Sequence, residues 1–260
     1  MPLREFPIGP LGQELYPRFI GELTEKLDDP ARDRNLTVRD ALGQLYLGRT
    51  VDYESEIAEK GLPLATKTLL ASFDPRNATL EAEYYREIDL EKWKAVKPVL
   101  WFWQMFDHSP VGRNIRLGTQ LRYALAQRVF RKCGKRVRIF HEVEFSFGYN
   151  LTVGDGVTIH RNVLIDDRGE VVIGDDASIS DYANIYSHSH AVEDIHDVTL
   201  ALTEIGERAR VTYHAVVLSG VKVGKDAIVG SMGLTAKPVE PGGIVGGIPA
   251  KPIGKKSVKP

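Results

Sequence analysis

From about Cys133 to Lys251 the chain repeats every six residues, and no other property of the sequence restricts its fold so sharply. Ile139, Phe145 and Leu151 stand in one register. A slip of two residues starts a second at Val153, Ile159 and Ile165, and another slip around Arg168 to Glu170 starts a third at Ile173, Ile179 and Ile185. After a break the series resumes at Ile205, Val211, Val217, Val223 and Val229. Four places after the leading residues come small or branched apolar ones: Val157, Val163, Ala177, Ala183, Ala209, Ala215, Val221 and Ala227. An amphipathic helix repeats at three and four, and a two-sided strand at two, so neither sustains this pattern. Three six-residue segments, each a short strand and a corner, make one triangular coil. The leading aliphatic points inward and the later, smaller residue fits beside a corner. Stacked coils join by parallel backbone hydrogen bonds, each covering the apolar edge of the last. The predicted fold is mainly β: a parallel β-helix over residues 131–254, after a mainly helical region over 1–130 and before a basic tail over 255–260.

In the helical region, Leu15, Phe19, Ile20, Leu23 and Leu27 keep helical spacing up to Asp29-Pro30. Thr37 is the expected N-cap of a helix over Val38 to Leu47, with Gly48 just past its end. A third helix is predicted over Leu80 to Val96, closed by Pro98, and a fourth over Asn114 to Lys132. Trp93, Trp101, Phe102, Trp103 and Phe106 form an aromatic cluster that reads as core or subunit contact, or as a surface for a hydrophobic substrate. Between His108 and His141 there is no Asp or Glu, while Arg113, Arg116, Arg122, Arg128, Arg131, Lys132, Lys135, Arg136 and Arg138 fall there. That run reads as a solvated helix face or as a contact for phosphate or anionic lipid head groups.

The whole chain has a formal net charge of −1, so nothing in its overall charge calls for nucleic acid. Cys133 is the only cysteine, which excludes an intrachain disulfide and points to a reducing compartment. Met1 to Pro10 lacks the basic-then-apolar pattern of a secretory signal. The most apolar run, Val99 to Phe106, is interrupted by Gln104 and falls well short of the ~20 residues a spanning helix needs. A cytoplasmic protein is expected, with peripheral contact at the inner face of a membrane left open.

Four motifs carry a family resemblance: Ile173-Gly174-Asp175; Ile185-Tyr186-Ser187-His188-Ser189-His190; the repeats resuming at Ile205; and Val245-Gly246-Gly247-Ile248-Pro249-Ala250-Lys251. Over Cys133 to Gly254 the chain resembles the hexapeptide-repeat acyltransferases, most closely the maltose and galactoside O-acetyltransferases and the polysaccharide acetyltransferases. The resemblance implies a left-handed coil, acetyl-CoA or another acyl-CoA as co-substrate with no metal required, and a homotrimer. It implies transfer to a hydroxyl of a small-molecule, sugar or glycolipid acceptor.

The repeat breaks between Ile185 and Ile205, and a loop thrown out of a rigid scaffold is where function concentrates. Two histidines open it. Imidazole has the pKa for removing a proton from an attacking hydroxyl, and the family's single catalytic histidine falls in register on His190, with His188 the alternative base. The family orients its acceptor near Asp166 and Asp167; the other reading of that pair is two exposed turn residues. Asn184 and Tyr186, with His160 and Asn162, are lesser candidates for the same wall, each equally able to cap a coil corner. By the same resemblance Ser231 to Lys237, including Ala236, runs along the pantetheine arm. Lys237 and Lys251 would reach coenzyme A phosphates, and Arg210 and Tyr213 are further candidates for holding the cofactor.

This chain departs from the family pattern in three places. Ala236-Lys237 replaces a Thr-Lys pair, with Thr235 one place early. Ile248 stands where an Asn is usual, and Arg210 where a tryptophan is. A non-catalytic trimeric scaffold is therefore the competing reading. A zinc-dependent enzyme like the carbonic anhydrases of this fold is a third: His160, His188, His190, His196 and His214 supply imidazoles, but not at that class's spacing. Cys133 sits at an inward repeat position, where a cysteine is packed rather than nucleophilic.

Overall fold

The computed structural model describes residues 6–256. They form two compact units that divide between Ala78 and Thr79.

The first unit is helical: α1 Pro10–Asp28, α2 Arg34–Leu47, α3 Tyr53–Ala58 and α4 Leu64–Ser72. Leu23, Leu27, Val38, Leu42, Leu70 and Phe73 are its buried apolar side chains. The apolar spacing in α1 and its end at Asp28 agree with the sequence. The start of α2 does not. Asp33, whose carboxylate accepts from the Asn35 N–H at 2.7 Å, caps this helix in place of Thr37. Gly48 ends it at φ 68°, the left-handed conformation glycine adopts without strain.

The second unit opens with a strap over 79–89 that includes a short 3-10 turn, Glu81–Tyr84. Two helices follow, α5 Leu90–His108 and α6 Ile115–Val129. The predicted helix over Leu80 to Val96 is displaced. Asp89 caps α5 through the N–H groups of Glu91 and Lys92, and Pro98 lies inside the helix instead of closing it. A proline there removes one backbone donor, which isolated helices do not tolerate. Here Trp93, Val96, Val99, Leu100, Phe102, Trp103 and Phe106 are all at 5% exposure or less, and that burial holds the helix through the defect. The aromatic cluster is chiefly core.

The basic run is not one solvated face. Arg122 is fully buried against Asp107 at 2.6 Å, while Arg113 and Arg131 pair with Glu142 and Glu170. Asp107 also accepts the Glu142 N–H at 2.8 Å, and Arg122 donates to the Gly112 carbonyl at 2.6 Å. The α5–α6 corner is thereby fastened to the start of the coil.

The coil is a left-handed parallel β-helix of about six turns. Its first turn carries β1 Lys132–Cys133, β2 Arg138–Ile139 and β3 Glu144–Phe145, and its second β4 Leu151–Val153, β5 Thr158–Ile159 and β6 Leu164–Asp166. The third has β7 Glu170–Ile173, β8 Ser178–Ile179 and β9 Asn184–Tyr186. A hairpin, β10 His188–His190 with β11 Val198–Leu200, then leaves the prism. The coil resumes with β12 Leu202–Ile205, β13 Arg210–Val211 and β14 Val216–Val217, then β15 Lys222–Val223, β16 Ile228–Val229 and β17 Leu234–Thr235. β18 Gly243–Gly246 continues one face, and β19 Lys251–Lys255 folds back on it antiparallel. Residues 257–260 of the expected basic tail, like residues 1–5, lie outside the described residues.

The three faces stack as β1-β4-β7-β12-β15, β2-β5-β8-β13-β16-β18 and β3-β6-β9-β14-β17. Inward residues pair in register: Ile139 with Ile159, Ile159 with Ile179, Ile165 with Ile185, and Ile173 with Ile205. Cys133 pairs with Val153, and burial pushes its thiol up to about 11, in keeping with a packed cysteine. The two-residue slips have a visible cause. Cys133, Val153 and Ile173 are partners twenty residues apart, while Ile205 and Val223 are eighteen apart, so the early coils have one wider corner. Asp167, fully buried, fills that corner and accepts from the N–H groups of Phe147 at 2.7 Å and Asn150 at 3.1 Å.

Glycines set the coil spacing at another corner. A Cβ on Gly154, Gly174 or Gly206 would come within 2.8 Å of a backbone nitrogen in the next coil.

Candidate active site

The site grows from the place where the coil is interrupted. Ser187, fully buried, donates to the Asp166 carbonyl at 2.6 Å and accepts from the Gly169 N–H at 2.9 Å, while the Ala201 N–H closes the hairpin base on the Ser187 carbonyl. Beyond this anchored base, β10 and β11 pair antiparallel, His188 with Leu200 and His190 with Val198. The strand alternation puts His188 and His190 on one side of β10, their rings perpendicular with centroids 5.1 Å apart.

The two imidazoles are oriented differently. His190 is exposed, and its Nδ1–H donates to the Ile195 carbonyl at 2.6 Å across the hairpin. A carbonyl only accepts, so the proton sits on Nδ1 and Nε2 keeps its lone pair. His188 is largely covered, and its Nδ1 is bonded to the carboxylate of buried Asp166. Asp166 also accepts from the Ser146 hydroxyl at 3.0 Å and the Arg168 N–H at 3.2 Å. Both rings therefore present Nε2 away from their anchors, as a proton acceptor requires.

His188 lines a cleft of about 640 Å³ between α5 and the outer surface of β3, β6 and β9. The coil contributes Ser146, Asn162, Asp166 and Tyr186, and the helical side contributes Tyr85, Trp101, Trp103, Gln104 and His108. Of the sequence candidates for an acceptor wall, Asp166, Tyr186 and Asn162 thus come together. Asn162 takes a corner conformation at φ 56° and donates to Glu142 at 2.9 Å.

Asp167 does not join them. Its carboxylate is spent on the wide corner described above, and burial raises its pKa to about 6. It is neither an exposed turn residue nor a cleft residue, because two backbone donors in a dry corner need a buried acceptor. Asn184 lies outside the cleft lining, its amide 3.4 Å from the Tyr182 carbonyl. His160 stacks on Phe140 with centroids 5.0 Å apart, and His214 on Tyr182 at 4.8 Å. Among the described residues no three His, Cys, Asp or Glu side chains gather as a metal-binding group.

The candidates for coenzyme A sit away from the cleft. Arg210, Tyr213, Ser231, Ala236, Lys237 and Lys251 are all exposed along the later coils. The Thr-to-Ala departure has a structural reason. Thr235 occupies an inward position opposite Val217 and is 3% exposed, its hydroxyl donating to the Lys237 carbonyl at 2.8 Å, so Ala236 is left outside. Sequence reasoning missed Tyr85, Gln104, His108 and Glu144 in the cleft wall. Nothing periodic marks them, and only the packing of α5 on the coil brings them there.

Comparison with known proteins supports the same scaffold. No family model matches the chain. The serine acetyltransferase of Mycobacterium tuberculosis is 32% identical over 114 residues, covering 40% of this chain and 46% of that protein. The galactoside O-acetyltransferase of Escherichia coli is 25% identical over 139 residues, covering 51% of this chain and 67% of that protein. The chain thus spans about half the length of the first of these curated relatives and two thirds of the second. A hexapeptide-repeat acetyltransferase of Vibrio cholerae O1 biovar eltor, solved with acetyl coenzyme A, superposes with a TM-score of 0.55 at 19% identity, over 65% of this chain and 89% of that one. The coil shares its fold with that solved acetyltransferase. Within this coil the hairpin bearing His188 and His190 is the largest departure from regular turns among the described residues. No helix among the described residues is long and apolar enough to cross a membrane.

Proposed function

We propose that the chain transfers an acetyl group, or another acyl group, from coenzyme A to a hydroxyl of a sugar, glycolipid or polysaccharide precursor, with His190 as general base. The observation that carries this is the Nδ1–H of His190 held on the Ile195 carbonyl at 2.6 Å, on a hairpin expelled from an otherwise regular coil. Nε2 is then a fixed proton acceptor in the open. The acceptor hydroxyl gives its proton to Nε2 as its oxygen attacks the thioester carbonyl. The C–O bond forms, a backbone N–H steadies the oxyanion, and the C–S bond breaks as the proton passes to the leaving thiolate. General-base action of this kind contributes about a hundred- to ten-thousand-fold in rate.

The active unit in this reading is a homotrimer, with the hairpin of one subunit facing the coenzyme A edge of the next. Val192 and Ile195, 97% and 69% exposed at the hairpin, are apolar side chains that a neighbouring subunit would cover. Lys237 and Lys251 are exposed cations suited to phosphates, and the edge through Arg210, Tyr213, Ser231 and Ala236 is open to the pantetheine arm. Residues 131–254 carry the chemistry and α5 supplies the acceptor wall. The reaction is cytoplasmic, where acyl-CoA is supplied, and a glycolipid acceptor would bring the enzyme to the inner membrane face.

The Asp166–His188 pair favours a second assignment within the same function, His188 as the base inside the cleft. Thiol release from acetyl-CoA across a sugar panel, with His190→Ala and His188→Ala beside the wild type, separates the two. Unchanged release in His190→Ala rules out His190. No release with any acceptor, together with no coenzyme A binding by calorimetry, leaves a scaffold.

A further inference from the structure

The cleft between α5 and the coil has an unbalanced charge. Glu81, Asp107, Glu142, Glu144 and Asp166 line it, and among the described residues no lysine or arginine does. Two of these carboxylates are matched by cations, Asp107 by Arg122 at 2.6 Å and Glu142 by Arg113 at 3.1 Å, while Asp166 is bonded to Nδ1 of His188. Another cation near the wall, Arg168, lies 4.1 Å over the Tyr85 ring and pairs with Glu87 at 2.8 Å. Glu81 receives only the Tyr85 hydroxyl, and Glu144 has no cation within ion-pair distance among the described residues.

A second observation points to a ligand independently of charge. Trp103, 1% exposed, lines the same cleft with an Nε1–H that has no acceptor. A buried indole N–H is ordinarily satisfied, and no acceptor among the described residues satisfies this one. Trp101 and Tyr186 add aromatic surface, and about 640 Å³ lies within the range of small-ligand sites, roughly 300–1,000 Å³.

We propose that the acceptor held in this cleft is an amine-bearing carbohydrate. Its ammonium faces Glu144 and Glu81, its ring lies along the aromatic wall, and one of its oxygens accepts from Trp103 Nε1. Aromatic faces beside unmatched carboxylates are the chemistry that selects an organic cation. Phosphorylated and nucleotide-linked sugars are repelled by the same groups. Held as an ammonium, the nitrogen has no lone pair, so a hydroxyl toward the hairpin histidines is acylated and the amine is retained.

The assignment rests on the transferase reading, and the test separates the two. The full chain is assayed with acetyl-CoA and three acceptors: the disaccharide of β-1,4-linked glucosamine, cellobiose as its neutral counterpart, and glucose 6-phosphate. Binding of each to the protein is measured by calorimetry in parallel. The amine disaccharide is expected to be preferred over cellobiose by about tenfold or more in kcat/KM, with glucose 6-phosphate inert. In Glu144→Gln that preference falls by about tenfold, the size of one lost charge contact near 1.4 kcal/mol. Binding of the amine disaccharide that weakens in Glu144→Gln, with no thiol release from any acceptor, would keep the cleft assignment and remove the transferase. Equal use of cellobiose, an unchanged preference in Glu144→Gln, or no binding of the amine disaccharide to the wild type overturns it. The Glu144 side chain is exposed on β3, so its loss does not threaten folding.

Discussion

Asp166 and His188 are joined carboxylate to imidazole Nδ1 across the break in the coil, with Asp166 on β6 and His188 on the first strand of the hairpin. The bond ties the insertion to the rigid prism and fixes which nitrogen of His188 faces the cleft. His190, two residues on, is fixed instead by its own hairpin at Ile195. If His190 is the base, His190→Ala lowers kcat by about a hundred- to ten-thousand-fold. Asp166→Asn and His188→Ala lower it far less and raise KM for the acceptor. Steady-state thiol release on the three variants checks the split, and the reverse order of severity moves the base to His188.

The buried Asp107–Arg122 pair fastens the α5–α6 corner to the coil. Removing one partner strands the other charge where water does not reach, so Asp107→Ala should lower stability by about 3–5 kcal/mol. Replacing both with apolar residues of similar size, Asp107→Leu with Arg122→Met, should cost much less. Urea unfolding of the two variants measures the difference.

Gly174 sits at a corner where two coils approach closely. A methyl group there would meet the Glu207 nitrogen at 2.7 Å, and backbone cannot swing aside as a side chain would. Gly174→Ala should destabilise by about 1–3 kcal/mol through forced separation of the coils. Gly61→Ala, whose nearest atom is a flexible carboxylate at 3.9 Å, should be close to neutral. Thermal melts of both test the claim.

Asp167 gives a pH signature of definite sign. Burial lifts its carboxyl from 3.8 to about 6 in the folded chain, so the folded state holds its proton to higher pH than the unfolded state does. Stability from this group is therefore fully present below about pH 4, is lost as pH rises toward 6, and is flat above. The loss amounts to about 3 kcal/mol. Asp167→Asn should be less stable at every pH, having one acceptor for two N–H donors, but the slope between pH 4 and 6 should shrink. Denaturant midpoints taken across that window for both proteins decide it.

The period of six determined the coil, and with it which side of each strand is inside. Ile159, Ile179 and Val211 had to stack because an aliphatic every six residues finds cover only under the next coil. The break at Ile185 likewise marked where chain leaves the prism, and with it the two histidines. Local signals served less well where burial overrode them. Pro98 reads as a helix stop, and only the packing of Trp93, Phe102 and Phe106 keeps α5 running through it. Asp166 and Asp167 are neighbours with the same chemistry and opposite fates: one reaches a histidine 22 residues on, and the other turns into a corner to hold two amides. Which way each points depends on how many residues the corner contains and on what the adjacent coil offers, and those exist only once the coils are stacked. The cleft is decided at the same level, because its wall from Tyr85 to His108 and its floor from Glu142 to His188 meet only through tertiary packing.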